Sequence, residues 1–203
     1  MCNHYRAHPE DIEDWREWAG FNLPSVQEDM DLRADVWPKR PGLVARIADG
    51  ERVIEPMIWG VPLTMPGKRP GTTITKNVTN VRNLSSRFWM SMLKEPARRC
   101  LVPFSRFAEP KPGKDPETGR PAEYWFTVRD RPMMAFAGIW RPSDVGNVYA
   151  FLTCEPNPLV APLHPKAMPV ILHREDYDRW LLGSVEEACA LAAPFPSQMM
   201  ELQ

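Results

Sequence analysis

Cys2 directly follows Met1, and a side chain that small lets the methionine be removed, so the mature chain is expected to start at Cys2. Such a terminus carries a free α-amine and a free thiol on adjacent carbons. Their ordinary pKa values, ~7.7–8.0 and ~8.5, leave reactive forms of both at neutral pH. The amine condenses with an aldehyde, and the thiol then closes a five-membered thiazolidine ring. Taken alone, position 2 reads more simply as an unselected start-site residue, so other residues must decide.

Three further positions carry candidate chemistry. Asn80 and Arg82 form an N-x-R triplet (TNVRN) just before a helix. In an extended approach, side chains two apart share a face. Asn offers a donor and an acceptor, and Arg a planar fork for phosphate or carboxylate. Glu109 closes an apolar run beginning at Arg98-Arg99; at the mouth of a sheet, a carboxyl with a raised pKa moves protons. His164 stands in a proline-stiffened loop with Lys166 two positions on, a rigid setting suited to acid–base work. For each the plainer reading is a turn residue, a solvated strand end or a surface charge. His8 and His173 have polar contexts and receive no role. Apart from Cys2-x-His4, no Cys/His pair has ligand spacing, so no zinc site is predicted.

These side chains need a scaffold, and 203 residues suffice for one substantial domain with a real core. No apolar run approaches the ~20 residues of a membrane span, and no signal segment is evident. The four cysteines lie far apart, which predicts reduced thiols and a cytoplasmic protein. A net charge of -1 argues against a wholesale nucleic-acid coat but leaves room for a local basic groove. Twenty-three prolines spread along the chain punctuate short elements.

The pattern predicts helices over 8–20 and 85–93, the first presenting Ile12, Trp15 and Ala19 on one face. Strands are predicted over 43–47, 53–59, 99–107, 124–128, 134–140, 148–154 and 168–172. A polar loop is expected over 110–121. Two amphipathic pieces close the chain, 175–182 and 185–193, with Ser184 and Glu187 forming a capping box. The fold class is α+β: a curved antiparallel β-sheet or partly open barrel with peripheral helices.

Taken in order, these segments resemble the SRAP family, the SOS response-associated peptidase-like proteins that shield abasic sites in single-stranded DNA. The matching pieces are Met1-Cys2, Ile58-Trp59-Gly60-Val61-Pro62, Asn80-Val81-Arg82, Arg99-Cys100-Leu101-Val102-Pro103 through Glu109, Ala137-Gly138-Ile139-Trp140, Thr153 through Asn157, and His164 through Leu172. The resemblance runs essentially from end to end, as a single SRAP-like domain over 1–203. It implies that Cys2 is the nucleophile forming a thiazolidine with the ring-opened sugar. Glu109 would move protons around the α-amine and sugar, Asn80 would hold the reacting N-terminus, and His164 would act as general acid/base. Arg82 would grip a phosphate, with Trp59 and Pro62 in the groove wall. Arg98 and Lys166, together with Arg87, Arg99 and Arg106, are further candidates for the DNA grip. The implied partner is single-stranded DNA containing abasic sites, with no metal, organic cofactor or membrane, and DNA lyase activity as a secondary expectation.

The chain also departs from the family. Cys2-Asn3-His4 stands where the family has Cys-Gly-Arg, leaving His4 as a weak substitute phosphate contact when protonated. Asp35-Val36-Trp37-Pro38-Lys39 replaces N-x-A-P-T, and the His164 loop is one residue longer. Two rival readings remain: a self-processing cysteine peptidase using Cys2, His164 and Asn80 or Glu109, and a non-covalent single-stranded DNA-binding module in which Cys2 is incidental.

Overall fold

The computed structural model describes residues 2–7, 9–20 and 34–203. The chain runs β1 (His4–Arg6), α1 (Pro9–Ala19), β2 (Asp35–Val36), β3 (Pro41–Ala48), β4 (Glu51–Trp59), β5 (Val61–Pro66), β6 (Thr73–Val78) and β7 (Asn80–Val81). It continues with α2 (Arg87–Leu93), β8 (Arg99–Phe104), β9 (Arg106–Lys114), β10 (Pro121–Val128), β11 (Met134–Ser143) and β12 (Gly146–Cys154). The last part holds β13 (Met168–Pro169), β14 (Ile171–Leu172), α3 (Tyr177–Leu182), α4 (Val185–Ala190) and β15 (Met200–Leu202).

Strands β12, β4, β3, β8 and β11 pair in that order, and β11 returns to β12, giving a five-strand barrel. Its closure is partial, because β3 and β8 share a single registered pair, Ala45 with Leu101. The β12–β4 junction is parallel and the other ring junctions antiparallel. A second sheet, ordered β15-β10-β9-β1-β2, packs beside it, and β5 and β6 form a separate hairpin. The protein is α+β and mostly β, with few helices.

The core between the sheets is aromatic. Phe104 stacks on Phe136 at 3.8 Å and 7°, and Trp59 stacks on Phe151 at 5.2 Å. Tyr5 meets Trp59, Phe136 and Phe151 edge-on. Each such ring contributes about 1.5–3 kcal/mol of burial, and the paired rings about 0.5–1.5 kcal/mol more. Tyr5 therefore ties β1 into the core at its midpoint, and its hydroxyl lies 2.5 Å from that of Tyr149. A Cβ on Gly42 would stand 2.3 Å from the Tyr149 hydroxyl and 2.5 Å from that of Tyr5, so only glycine lets β3 pass so close. Ile12, Trp15 and Ala19 of α1 are buried, the face its periodicity predicts. Glu187 and Ser184 form the predicted capping box at α4.

Several boundaries differ from the sequence reading: the strand predicted over 168–172 is two, β13 paired with β12 and β14 with β11. The run predicted as one strand over 99–107 is two, β8 in the barrel and β9 in the second sheet. Ser105 makes the turn, its N–H and hydroxyl both donating to the Arg6 carbonyl, at 2.7 and 3.1 Å. Half of the predicted loop over 110–121 is strand: β9 continues to Lys114 and β10 resumes at Pro121, leaving a turn over 115–120 organised by Asp115. Cross-strand pairing outweighs the turn propensity of its prolines and glycine.

Candidate active site

Four side chains far apart in sequence converge at the start of β1. Cys2 is fully buried, its thiol donating to the His4 carbonyl at 3.4 Å. Asn80 donates from Nδ2 to the Cys2 carbonyl at 2.9 Å. The Asn80 Oδ1 is buried and has no hydrogen-bond partner among the described residues. Glu109 is fully buried on β9, one position past Ala108, which registers with His4. The Nδ1 of His164 lies 3.5 Å from Glu109 Oε2 and donates to the Ala167 carbonyl at 2.9 Å. That bond assigns the proton to Nδ1 and leaves Nε2 as the acceptor of the neutral ring.

Different elements supply each group. β12 aligns two of the motifs: Tyr149 registers with Trp59 and Phe151 with Asn80, both in parallel pairings. Between them Gly60, at φ 123°, turns the chain out of β4, a conformation that favours glycine. Thr79 accepts the Trp59 indole N–H through its carbonyl and the Asn80 amide through its hydroxyl. The His164 loop is organised by Asn157, which the sequence reading treated only as part of a motif. Its Oδ1 accepts from the N–H groups of Leu159 and Val160, and its amide donates to the Phe195 carbonyl.

Burial sets the electrostatics. It pushes the Glu109 carboxyl up to about 7, because the charged form is poorly solvated there. Burial, and then the Glu109 charge, pushes the Cys2 thiol well above its ordinary value. Burial also lowers the His164 pKa, so its imidazole stays neutral further into the acid range. The centre thus holds a protonated thiol, a carboxyl poised near neutrality and a neutral imidazole. Such a set is suited to proton transfer rather than to holding a thiolate.

The family described as SOS response associated peptidase (SRAP) matches residues 1–203. The chain belongs to the SRAP family. A solved protein from Bordetella bronchiseptica is similar in fold at 24% identity, with 99% of this chain and 98% of that one covered and a TM-score of 0.74. A protein from Bacteroides thetaiotaomicron is similar at 21% identity, covering 99% and 90% of the two chains, also with a TM-score of 0.74. A phage-related protein from Bordetella bronchiseptica follows at 20% identity, covering 100% and 92%, with a TM-score of 0.66. No curated protein matches the sequence.

In this SRAP domain the expected DNA contacts divide. Arg82 and Lys166 are exposed, Arg82 beside Asn80 in sequence and ion-paired to Glu155. Pro62 is half-buried on β5, its carbonyl accepting from Arg141. Arg98 lies over the Trp140 ring at 4.6 Å. Trp59, expected in a groove wall, is fully buried in the core. Arg99 is likewise internal, donating to the carbonyls of Trp180 and Gly183. His4, expected as a phosphate contact, is 3% exposed, its Nε2 2.8 Å from Asp35 and its Nδ1 2.9 Å from Glu123. Both nitrogens face carboxylates, which leaves neither for a phosphate.

A wider basic stretch was missed, of which only Arg82 and Arg87 were among the expected DNA contacts. Between Glu55 and Glu95 the sequence contains no acid but holds Lys68, Arg69, Lys76, Arg82, Arg87 and Lys94. All six are exposed, three of them on the β5–β6 hairpin. The gap in acidic residues was the available signal, hidden by the chain's overall balance. Among the described residues no group of three or more His, Cys, Asp or Glu could hold a metal ion, and no helix is long and apolar enough to cross a membrane.

Proposed function

We propose that this SRAP protein binds single-stranded DNA and shields abasic sites by forming a thiazolidine through Cys2. The observation that carries the reading is the meeting of Asn80, Glu109 and His164 around the one residue able to present an amine and a thiol together. On a chain beginning at Cys2, the α-amine adds to the aldehyde carbon of the ring-opened sugar. Loss of water gives an imine. The sulfur then adds to that carbon while the imine nitrogen takes up a proton, so one water leaves overall. Glu109, poised near pH 7, hands protons to the departing oxygen and receives the thiol proton. His164 Nε2 serves the sugar oxygens, and Asn80 Oδ1 accepts from the reacting amine. Each proton transfer to a positioned group is worth ~10²–10⁴-fold, and holding amine and aldehyde together adds a larger entropic term. The basic residues of the stretch between Glu55 and Glu95 supply the phosphate grip, with weak sequence preference and strong salt dependence.

The family description names a peptidase. A peptidase cysteine is activated by a base on sulfur and a lowered pKa. Here the thiol donates to a carbonyl and its pKa is raised, which favours the aldehyde chemistry. The test is intact mass of the protein mixed with an abasic-site oligonucleotide. A heat-stable adduct one water lighter than the sum, absent from Cys2→Ala, is expected. A correctly processed wild type that forms no adduct would overturn the proposal.

A further inference from the structure

A cleft of about 840 Å³ opens beside the reaction centre, between β1, β2 and the turn joining β9 to β10. Asn3, next to Cys2, and Pro110, next to Glu109, both line it. A strand held at Cys2 therefore has this space as a neighbour.

The acids of the cleft are already engaged. Asp35 is bound by Arg6 at 2.5 Å and by His4, Glu123 is bound by His4, and Asp115 accepts from Thr118 and Glu117 of its own turn. Arg40 and Arg120 line the same cleft, are exposed, and make no side-chain hydrogen bond or ion pair among the described residues. Trp37 supplies a platform. One face stacks on His4 at 3.7 Å and 19°, while 38% of the residue stays exposed. Because His4 is held at both nitrogens and braced edge-on by Trp125, the indole rests on a fixed support. A flat apolar surface beside two unengaged guanidinium groups matches one ligand chemistry, a nucleotide, with its base on the ring and its phosphate in the forks.

We propose that this cleft takes the nucleotide flanking the abasic site, stacking its base on Trp37 and holding its phosphate between Arg40 and Arg120. The proposal rests on the abasic-site reading and adds sequence context to it. Purines offer the larger stacking face, so a flanking purine binds more tightly than a pyrimidine.

The test uses single-stranded oligonucleotides carrying a tetrahydrofuran abasic analogue, which has no aldehyde and cannot be crosslinked. Purine or pyrimidine is placed on the 5′ or the 3′ side, and Kd is measured by anisotropy. Wild type should favour a purine on one side. Trp37→Ala should lose that preference and about 5- to 150-fold in affinity, with Trp37→Phe between them. Replacing Arg40 and Arg120 with Gln should weaken all sequences alike and reduce the salt slope by about 1.4. Unchanged affinity and context in Trp37→Ala, with a wild-type melting profile, overturns the proposal; if that variant is misfolded, a Trp37→Phe equal to wild type does so. Since the analogue cannot react, this result is independent of whether Cys2 forms an adduct with a true abasic site.

Discussion

The proposed reaction centre around Cys2 and the basic stretch between Glu55 and Glu95 meet at Asn80, yet their electrostatics are opposite. Around Cys2 the groups are few, buried and individually decisive, because in a low dielectric one proton changes the free energy by several kcal/mol. Along the β5–β6 hairpin and α2 the charges are many, exposed and interchangeable, each screened within about 10 Å at moderate salt. A single substitution should therefore abolish chemistry in the first region, whereas only several together should weaken binding in the second.

The sharpest way to break this contrast is Cys2→Ala. Adduct formation should vanish by intact mass, while Kd for undamaged single-stranded DNA changes by less than about 2-fold, since Cys2 makes no phosphate contact. A collapse of binding as well would mean that the two regions are one. Next, Glu109→Gln should slow adduct formation by ~10²–10⁴-fold in single-turnover kinetics. The same variant sharpens the electrostatic half of the contrast. Glu109 holds its proton more tightly when folded, with a pKa of about 7 against an ordinary 4.5. Its contribution to stability is therefore fully present below pH 4.5 and is lost as pH rises through 7, by up to roughly 3 kcal/mol. Denaturant melts at pH 5 and 8 should show Glu109→Gln losing less stability than wild type over that interval.

A smaller effect is expected from replacing Lys68, Arg69 and Lys76 together with Gln. The salt slope of single-stranded DNA binding should fall by up to about 2, with the adduct rate at saturating DNA unchanged. The smallest concerns the exposed Arg82–Glu155 pair. Glu155→Gln should alter stability by less than about 0.5 kcal/mol, while DNA affinity rises slightly as Arg82 is released to phosphate.

Legibility in the sequence followed the range of the interactions involved. Helix α1 with its buried Ile12, Trp15 and Ala19, the capping box at Ser184 and the ring strands β3, β4, β11 and β12 all announce themselves, because their signals are local periodicity and local hydrogen bonds. Strand β1 is three residues long and has no periodicity to read; it exists because β2 and β9 flank it. The β5–β6 hairpin was obscured by proline and glycine at its tip, and the split at Ser105 by an unbroken apolar run. His4 illustrates the same limit at the site. Its polar type suggested a ligand contact, but Asp35 and Glu123 arrive from distant strands to enclose it.

What the amino-acid sequence determined by itself was the chemistry available: a cysteine behind Met1, an ordered set of SRAP motifs, and a glutamate and histidine in settings suited to proton transfer. These are properties of residue types and their order. Only the tertiary structure decided which groups share a dielectric environment. It buried Glu109 until its carboxyl was poised near neutrality, placed His164 3.5 Å from it, and put Asn80 on the carbonyl of Cys2. It also moved Trp59 and His4 inward and left Trp37 outside, facing a cleft. Solvation and distance depend on residues far apart in the chain, and the closing of the barrel is what brings them together.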